Sequence, residues 1–320
     1  MDIYFGTIIR GARVADGGSL FKLDWDSKTI KGEIPIVPSD PDLDHDPNAR
    51  GNVRGCRGIR VAGDEVIAAD YHTLHFFDRD LQEKRRLSHG LLAGLHEIDI
   101  AGDSVWVTST TLDAVLKYKL ADGTKTAEFW PREVPEFQQA LDVQPLAINK
   151  DIDNRATFLE SASFRGPSHL HLNAVCEFRG EVYALFHSKC VVANLSRNTV
   201  VISDPKLKHA HNLIMQEPGV VYINDTHRTV VREYDLASGK QIRAIDIKPF
   251  NSWYQVHQDT ENLQLDLCEQ ESCALAVDGT EIVFNLAADM GGMGFIENNK
   301  ALSMHSVLIN THLIMAAKDA

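Results

Sequence analysis

One spacing constrains this chain more than any other feature. Gly63 and Gly102 are 39 residues apart, and so are Gly180 and Gly219. Each glycine joins two apolar, alternating runs. These are CRGIRVAGDEVIAAD from Cys56, LHEIDIAGDSVWVTST from Leu95, HLHLNAVCEFRGEVYALF from His169 and HAHNLIMQEPGVVYIND from His209. Alternation at a period of two marks strands, and glycine supplies the positive φ of a tight turn between them. Further hairpins follow each run, as in AVLKYKLADGTKTAEFW from Ala114. A repeat of this length, with four short strands per unit, cannot bury both faces of one sheet. Stacking the units radially does so and leaves only short edges. The expectation is an all-β chain: one β-propeller domain over residues 1–320, with about six blades, five to seven fitting the count.

Three stretches interrupt the pattern and are expected to be insertions: 37–55, rich in Pro and Asp; 131–168; and 248–270. The 78 residues between Gly102 and Gly180 are two repeats long, and 131–168 reads as an insertion there rather than a blade. It is expected to cover one mouth of the ring. The runs CALAVDGTEIVFNLA from Cys273 and SMHSVLINTHLIMAA from Ser303 are expected to be closing strands. MGGMGF at 290–295 reads as a tight turn.

The strand, Gly102-Asp103 turn, VWVTST and LKYKLADG sequence resembles the propellers of the NHL and gluconolactonase type. That resemblance implies a propeller and, in many members, a divalent metal held at the axis by Glu, Asn and Asp. Asn173 and Asn212 match such asparagine positions, but histidines occupy the neighbouring ones.

His96, His171 and His211 fall at or near the starts of inner strands, and His305 begins the last apolar run. Inner strands line the axis of a propeller, so these four are the expected metal ligands. His169 and His209 are rivals, because residues two apart share a face of a regular strand. Imidazole donors favour a transition metal over calcium or magnesium. Iron(II) is expected first, with copper or zinc as alternatives. The arrangement is similar to the four-histidine iron site of carotenoid-cleaving oxygenases, which are also propellers. Arg57 is placed to hold a carboxylate substrate, and Glu97, Glu177 and Asp225 to orient imidazoles. Asp70, His187 and Asp225 end second strands and face a mouth.

The functional expectation is a metal-dependent enzyme acting on a small organic substrate by oxidative chemistry. A hydrolase, such as a lactonase, or a lyase is the alternative, and a non-catalytic binding scaffold a third reading. A net charge of −13 argues against nucleic acid and anionic membrane surfaces as partners. Five cysteines without a CxxC pair, and an amino terminus lacking a long apolar run, lead to the expectation of a reduced, cytoplasmic protein.

Overall fold

The repeat glycines adopt the conformation that their spacing requires. Gly63, Gly102 and Gly180 have φ of +56°, +61° and +76°, and a Cβ on any of them would touch nothing. The left-handed backbone alone selects glycine there. In the computed structural model of the chain, residues 1–38, 51, 53–156, 166–237, 241–253, 256, 260–278, 280, 283, 285–287 and 300–319 are described. They fall into two compact units, residues 1–239 and 240–320.

The first unit is a five-bladed β-propeller. Blade 1 is β1 (Asp2–Gly6), β2 (Ser19–Asp24) and β3 (Thr29–Pro35). Blade 2 is β4 (Ile59–Ala62), β5 (Glu65–Ala69), β6 (Thr73–Asp78) and β7 (Glu83–Ser88). Blade 3 is β8 (Leu95–Ala101), β9 (Ser104–Ser109), β10 (Ala114–Lys119) and β11 (Lys125–Phe129). Blade 4 is β12 (Leu172–Phe178), β13 (Glu181–Phe186), β14 (Val191–Asn194) and β15 (Thr199–Ser203). Blade 5 contributes β16 (Ala210–Gln216), β17 (Val220–Asp225) and β18 (Val230–Asp235) to this unit. All these pairings are antiparallel.

Five blades rather than six result because the carboxy-terminal runs expected to form a further unit contribute no strand among the described residues, while 131–168 is an insertion as expected. It supplies a short helix, α1 (Pro135–Leu141), whose Phe137 packs on Phe186 at the junction of blades 3 and 4. Residues 157–165, and 39–50 and 52 of the expected 37–55 loop, lie outside the described residues, as does MGGMGF.

Four apolar clusters hold the ring, and each is a junction between neighbouring blades. Leu20 meets Val66 and Phe77 between blades 1 and 2, and Ile67 and Phe76 meet Ile98 and Val107 between blades 2 and 3. Trp106 and Val115 meet Val175 and Ala184 between blades 3 and 4, and Leu185 and Val192 meet Leu213 and Ile223 between blades 4 and 5. Middle strands such as β5 and β13 are therefore buried on both faces, which their unbroken apolar runs reflect.

The second unit differs from expectation. It contains a parallel pair, β19 (Gln241–Asp246) and β20 (Thr260–Gln264), and two helices, α2 (Gln270–Val277) and α3 (Lys300–Asp319). In place of the strands expected in the last two apolar runs, 273–277 lies in α2 and 303–317 in α3. Ile309, Leu313 and Ala316 recur at helical spacing and pack with Cys273, Ala276 and Val277 of α2. A period near 3.6 outweighed the apparent alternation.

Asp225 shows how polar groups are buried in this frame. Its carboxylate is fully buried and accepts Arg232 Nη2 at 2.6 Å, Arg232 Nε at 3.0 Å and Arg228 Nη1 at 3.1 Å. It ties the β17–β18 hairpin and orients no imidazole ring, contrary to expectation. Burial alone would raise its pKa, but the bonds from Arg232 and Arg228 outweigh burial and hold it below the usual value. With the folded value below an unfolded value of about 3.9, its stabilisation is complete above that pH and is lost as pH falls through the folded value. Arg232→Met leaves the buried carboxylate with only the half-exposed Arg228 as cation and is expected to cost up to about 3–5 kcal/mol at neutral pH. Urea denaturation measures the loss, and the gap from wild type should narrow on acidification. An equal gap at acid and neutral pH would contradict this account.

Candidate functional site

Inner strands β4, β8, β12 and β16 all begin at one end of the ring, and the turns after β5, β9, β13 and β17 reach the same end. The pairings show this directly: Leu95 opposes Ser109, Leu172 opposes Phe186, and Ala210 opposes Asp225. Blade 1 is different. Its β1 ends at this mouth, where Thr7 O accepts Cys56 N at 3.1 Å, so the blade offers the loop after β1, including Arg10.

A connected ladder of imidazoles occupies the mouth. Ring centres of His96 and His171 are 5.1 Å apart, and those of His171 and His187 are 4.8 Å apart. His187 lies 5.2 Å from His209 and 6.1 Å from His211. His169 flanks His171 at 5.3 Å, and His227 flanks His209 at 6.0 Å. Three of the four expected ligands, His96, His171 and His211, are thus in one cluster. His305 is not at the start of an inner strand; it is an exposed residue on α3 in the second unit.

Simple alternation does not decide which histidine of each pair faces the site, because the strands are irregular where it matters. Register shifts lie between Leu95 and Ile98, between Leu172 and Ala174, and between His211 and Ile214. His171, His209 and Asn212 have φ of +54°, +71° and +59°. Such bulges re-aim side chains, and left-handed non-glycine residues cluster at sites of function. The bulges also account for the unequal offsets of six, nine and eight residues from His96, His171 and His211 to their turn glycines.

A buried carboxylate fixes the strained entry to β12. Asp113 accepts His171 N at 2.9 Å and Leu170 N at 3.0 Å, with Arg132 Nη1 at 3.4 Å. His169 is buried in this same junction, its Nε2 2.9 Å from Thr110 O, so it serves the backbone between blades while its ring flanks His171. The 131–168 insertion is tied beside the mouth through Arg132.

Four of these imidazoles, those of His96, His171, His187 and His211, are held toward the neutral form. Burial pushes His171 down to about 2 and His187 to about 4, with neighbouring histidines adding to the effect. Burial also lowers His211, and it holds His96 well below the usual value, with Arg57 adding to both. His96 Nδ1 donates to Gly94 O at 3.1 Å, so its Nε2 accepts from Arg57 Nη1 at 3.2 Å. His211 Nδ1 donates to His209 O at 3.0 Å, which leaves Nε2 as its acceptor. His187 Nδ1 is buried without a hydrogen-bond partner.

Behind the imidazoles lies a polar throat. Glu97 Oε1 accepts Asn212 Nδ2 at 2.7 Å, and Asn212 Oδ1 accepts Asn224 Nδ2 at 2.8 Å. Arg60 lies 3.7 Å from Glu97 and 3.3 Å from Asp99. Burial raises the Glu97 carboxyl to about 7 despite Arg60 and Asn212. Glu177, expected to orient a ring, instead accepts Trp106 Nε1 at 2.6 Å and Lys117 at 3.1 Å. Asn173 bridges blades, donating to Ala210 O at 2.8 Å. His187 was legible only as the end of a second strand, and no repeat in the sequence singled it out as a ligand. Among the described residues, no three His, Cys, Asp or Glu side chains stand ready, as placed, to hold a metal ion.

No family model matches the chain. Stretches of 55 residues are 46% identical to GDP-mannose 3,5-epimerase of Arabidopsis thaliana and 42% identical to GDP-mannose 3,5-epimerase 1 of Oryza sativa subsp. japonica. Each covers 17% of this chain, and the chain spans only 15% of the relative's length. Among solved structures, a streptogramin B lyase aligns with TM-score 0.40 and 10% identity over 73% of each chain. Virginiamycin B lyase from Staphylococcus aureus aligns with TM-score 0.40 and 7% identity, over 73% of this chain and 74% of that one. A chain of the Mitotic Checkpoint Complex gives 0.42 and 5%, over 75% and 61%. These likenesses are of fold only. No helix among the described residues is long and apolar enough to cross a membrane.

Gly58 sets the spacing between two inner strands at the site. A Cβ there would lie 2.7 Å from His96 O, 2.8 Å from Ile98 N and 2.9 Å from Glu97 Cα, all backbone or nearly so. Gly58→Ala is therefore expected to push β4 from β8, costing about 1–3 kcal/mol. The His96 imidazole signals in NMR spectra should shift with it. An unchanged His96 environment in a folded variant would contradict the predicted close approach.

Proposed function

We propose that the protein is a metal-dependent enzyme acting on a small organic substrate at the axial mouth, with His171, His187 and His211 as the ligands. The spacing of the imidazole ladder carries this reading. With metal–nitrogen bonds of about 2.0–2.1 Å, the ring centres of adjacent ligands lie roughly 4.5–5.5 Å apart. The 4.8 Å between His171 and His187 fits, and the 6.1 Å from His187 to His211 would have to close by side-chain rotation on binding. All three rings are neutral, the ligating form. His96, with Nε2 committed to Arg57, belongs to the wall of the site and not to this set.

Neutral imidazoles suit iron, copper or zinc better than calcium or magnesium. Iron or copper would supply oxidative chemistry, the reading placed first, as in propellers of the carotenoid-oxygenase type. Zinc would polarise a carbonyl or activate water, giving a hydrolase or lyase nearer to gluconolactonase-type propellers. Glu97, near 7, is the group that can give or accept a proton at neutral pH. That favours a second reading, acid–base catalysis without a metal.

Elemental analysis and calorimetric titration with iron(II), copper(II) and zinc(II) test the proposal. Wild type should bind one equivalent. His171→Ala and His187→Ala should abolish stoichiometric binding, while His96→Ala and His305→Ala retain it. Binding by neither wild type nor variants, or binding indifferent to His171 and His187, would overturn it.

A further inference from the structure

Blade 1 has three strands where blades 2, 3 and 4 have four, and the position left out can be named. FKLDWDSKT from Phe21 follows the pattern of YKLADGTKT from Tyr118, so β2 and β3 correspond to the third and fourth strands of blade 3. The backbone agrees. Leu95 N, at the entry to β8, donates to Tyr71 O after the second strand of blade 2, at 2.9 Å. Cys56 N, on the approach to β4, donates in the same way to Thr7 O after β1, at 3.1 Å. Hence β1 stands in the second-strand position. Among the described residues, the inner position of blade 1 holds no strand.

The edge left open carries backbone hydrogen-bonding groups. Trp25 N donates to Met1 O at 2.8 Å and Thr7 N to Ser19 O at 2.9 Å, so the odd-numbered residues of β1 are those bonded to β2. The N–H and C=O groups of Asp2, Tyr4 and Gly6 therefore point to the other edge, where no described strand pairs with them. The second strands β5, β9 and β13 are buried along almost their whole length, whereas no residue of β1 is buried. The adjoining faces are bare as well. Tyr4 and Leu20 pack toward blade 2, so their neighbours Phe5 and Phe21 stack on the opposite face, at 5.0 Å, with Phe5 37% exposed. Leu213 and Tyr234 pack toward blade 4, and Ile214 and Val231 on the opposite face of blade 5 are 47% and 60% exposed. Among the described residues, no apolar cluster joins blade 5 to blade 1.

An open strand edge beside apolar side chains is a template for one more strand. The other blades set what fits. A strand antiparallel to β1 starts at the mouth, as β4, β8, β12 and β16 do, and those span four to seven residues. The position lies on the axial side of β1. Blades 3, 4 and 5 already converge at the axis, with imidazoles 5.1 and 5.2 Å apart across their junctions, so a single extended strand fits there better than the edge of a folded sheet. The net charge of −13 favours a segment without acidic residues. We propose that the inner edge of blade 1 docks one extended segment of a partner protein, which adds as an antiparallel strand beside β1 and covers Phe5 and Phe21. This interaction surface is separate from the imidazole ladder and does not depend on the metal reading.

Amide hydrogen exchange of the full chain, read by NMR, tests it. The probe is the synthetic peptide AHNLIMQ, which copies the inner strand β16 and has no acidic residue. In the free protein the Tyr4 and Gly6 amides should exchange fast and those of Ile3 and Phe5 slowly. Saturating peptide should slow Tyr4 and Gly6 at least roughly tenfold and leave Ile3 and Phe5 as they were. The same peptide N-methylated at alternate residues, on the side facing β1, should bind at least roughly tenfold more weakly. Phe5→Asp, its folding checked by circular dichroism, should weaken binding by about tenfold. Slow exchange at Tyr4 and Gly6 in the free monomer, or no protection by the peptide, would overturn the proposal. So would full binding of the N-methylated peptide, or of the unmodified peptide by folded Phe5→Asp. Protection that follows dimerisation in sedimentation, without peptide, would also overturn it, by making a second copy the occupant.

Discussion

The structure depends on the contact between neighbouring blades. A twisted four-stranded sheet has two apolar faces, and from blade 1 to blade 5 the facing sides of successive sheets cover one another. Four clusters, from Leu20 and Phe77 around to Leu213 and Ile223, do that work. Burial of this kind stabilises by roughly 25 cal/mol per Å² of apolar surface and has no direction of its own. Direction comes from the polar ties across junctions: Thr110 Oγ1 to Leu172 O at 2.5 Å, Asn173 to Ala210 O, and Trp106 to Glu177. Together they fix each inner strand relative to the next and leave the starts of those strands as the place for irregular backbone.

That division supports the strained backbone at the mouth. Left-handed conformations at His171, His209 and Asn212 are each costly for a residue with a side chain, on the order of 1–3 kcal/mol. They persist because rigid neighbours impose them. Asp113 takes both Leu170 N and His171 N, holding the entry to β12 in a shape that a regular strand would not adopt. The same carboxylate holds Arg132, so the insertion and the strained entry share one anchor. In blades 2 and 5 the turn after the second strand carries a buried aspartate, Asp70 or Asp225, engaged in structural bonds. Blade 4 places His187 there instead, and that single difference brings a fourth imidazole strand end into the ladder.

Much of the fold was legible because its cause is periodic. The glycine spacing and the alternating runs follow from turns and two-faced sheets, which repeat. The carboxy-terminal helices were not legible, since short apolar runs such as LAVDG and SVLINTHLIM satisfy strand and helix patterns alike until packing on α2 decides. His96, His171 and His211 come together because each stands at or near the start of an inner strand. Asp225 and Glu177 were misplaced because nearness in sequence does not give direction: Asp225 turns to Arg232 and Glu177 to Trp106. Alternation could not separate His169 from His171 or His209 from His211, because bulges break the period of two at that end of the strands.

Gathering neutral imidazoles beside fixed cations has a physical consequence of its own. Each protonation in the cluster would place a new charge near Arg57 or another imidazole, so the cluster resists charging as a group. Neutral rings keep their lone pairs, and those not spent on backbone or on Arg57 remain donors toward the mouth. His96 stands with its Nδ1 on Gly94 and its Nε2 on Arg57, which fixes the arginine head relative to the ladder. Residues from four blades and a loop of the fifth are required for this arrangement. Its geometry is therefore a property of the whole ring, and loosening any one junction displaces the reactive groups relative to one another.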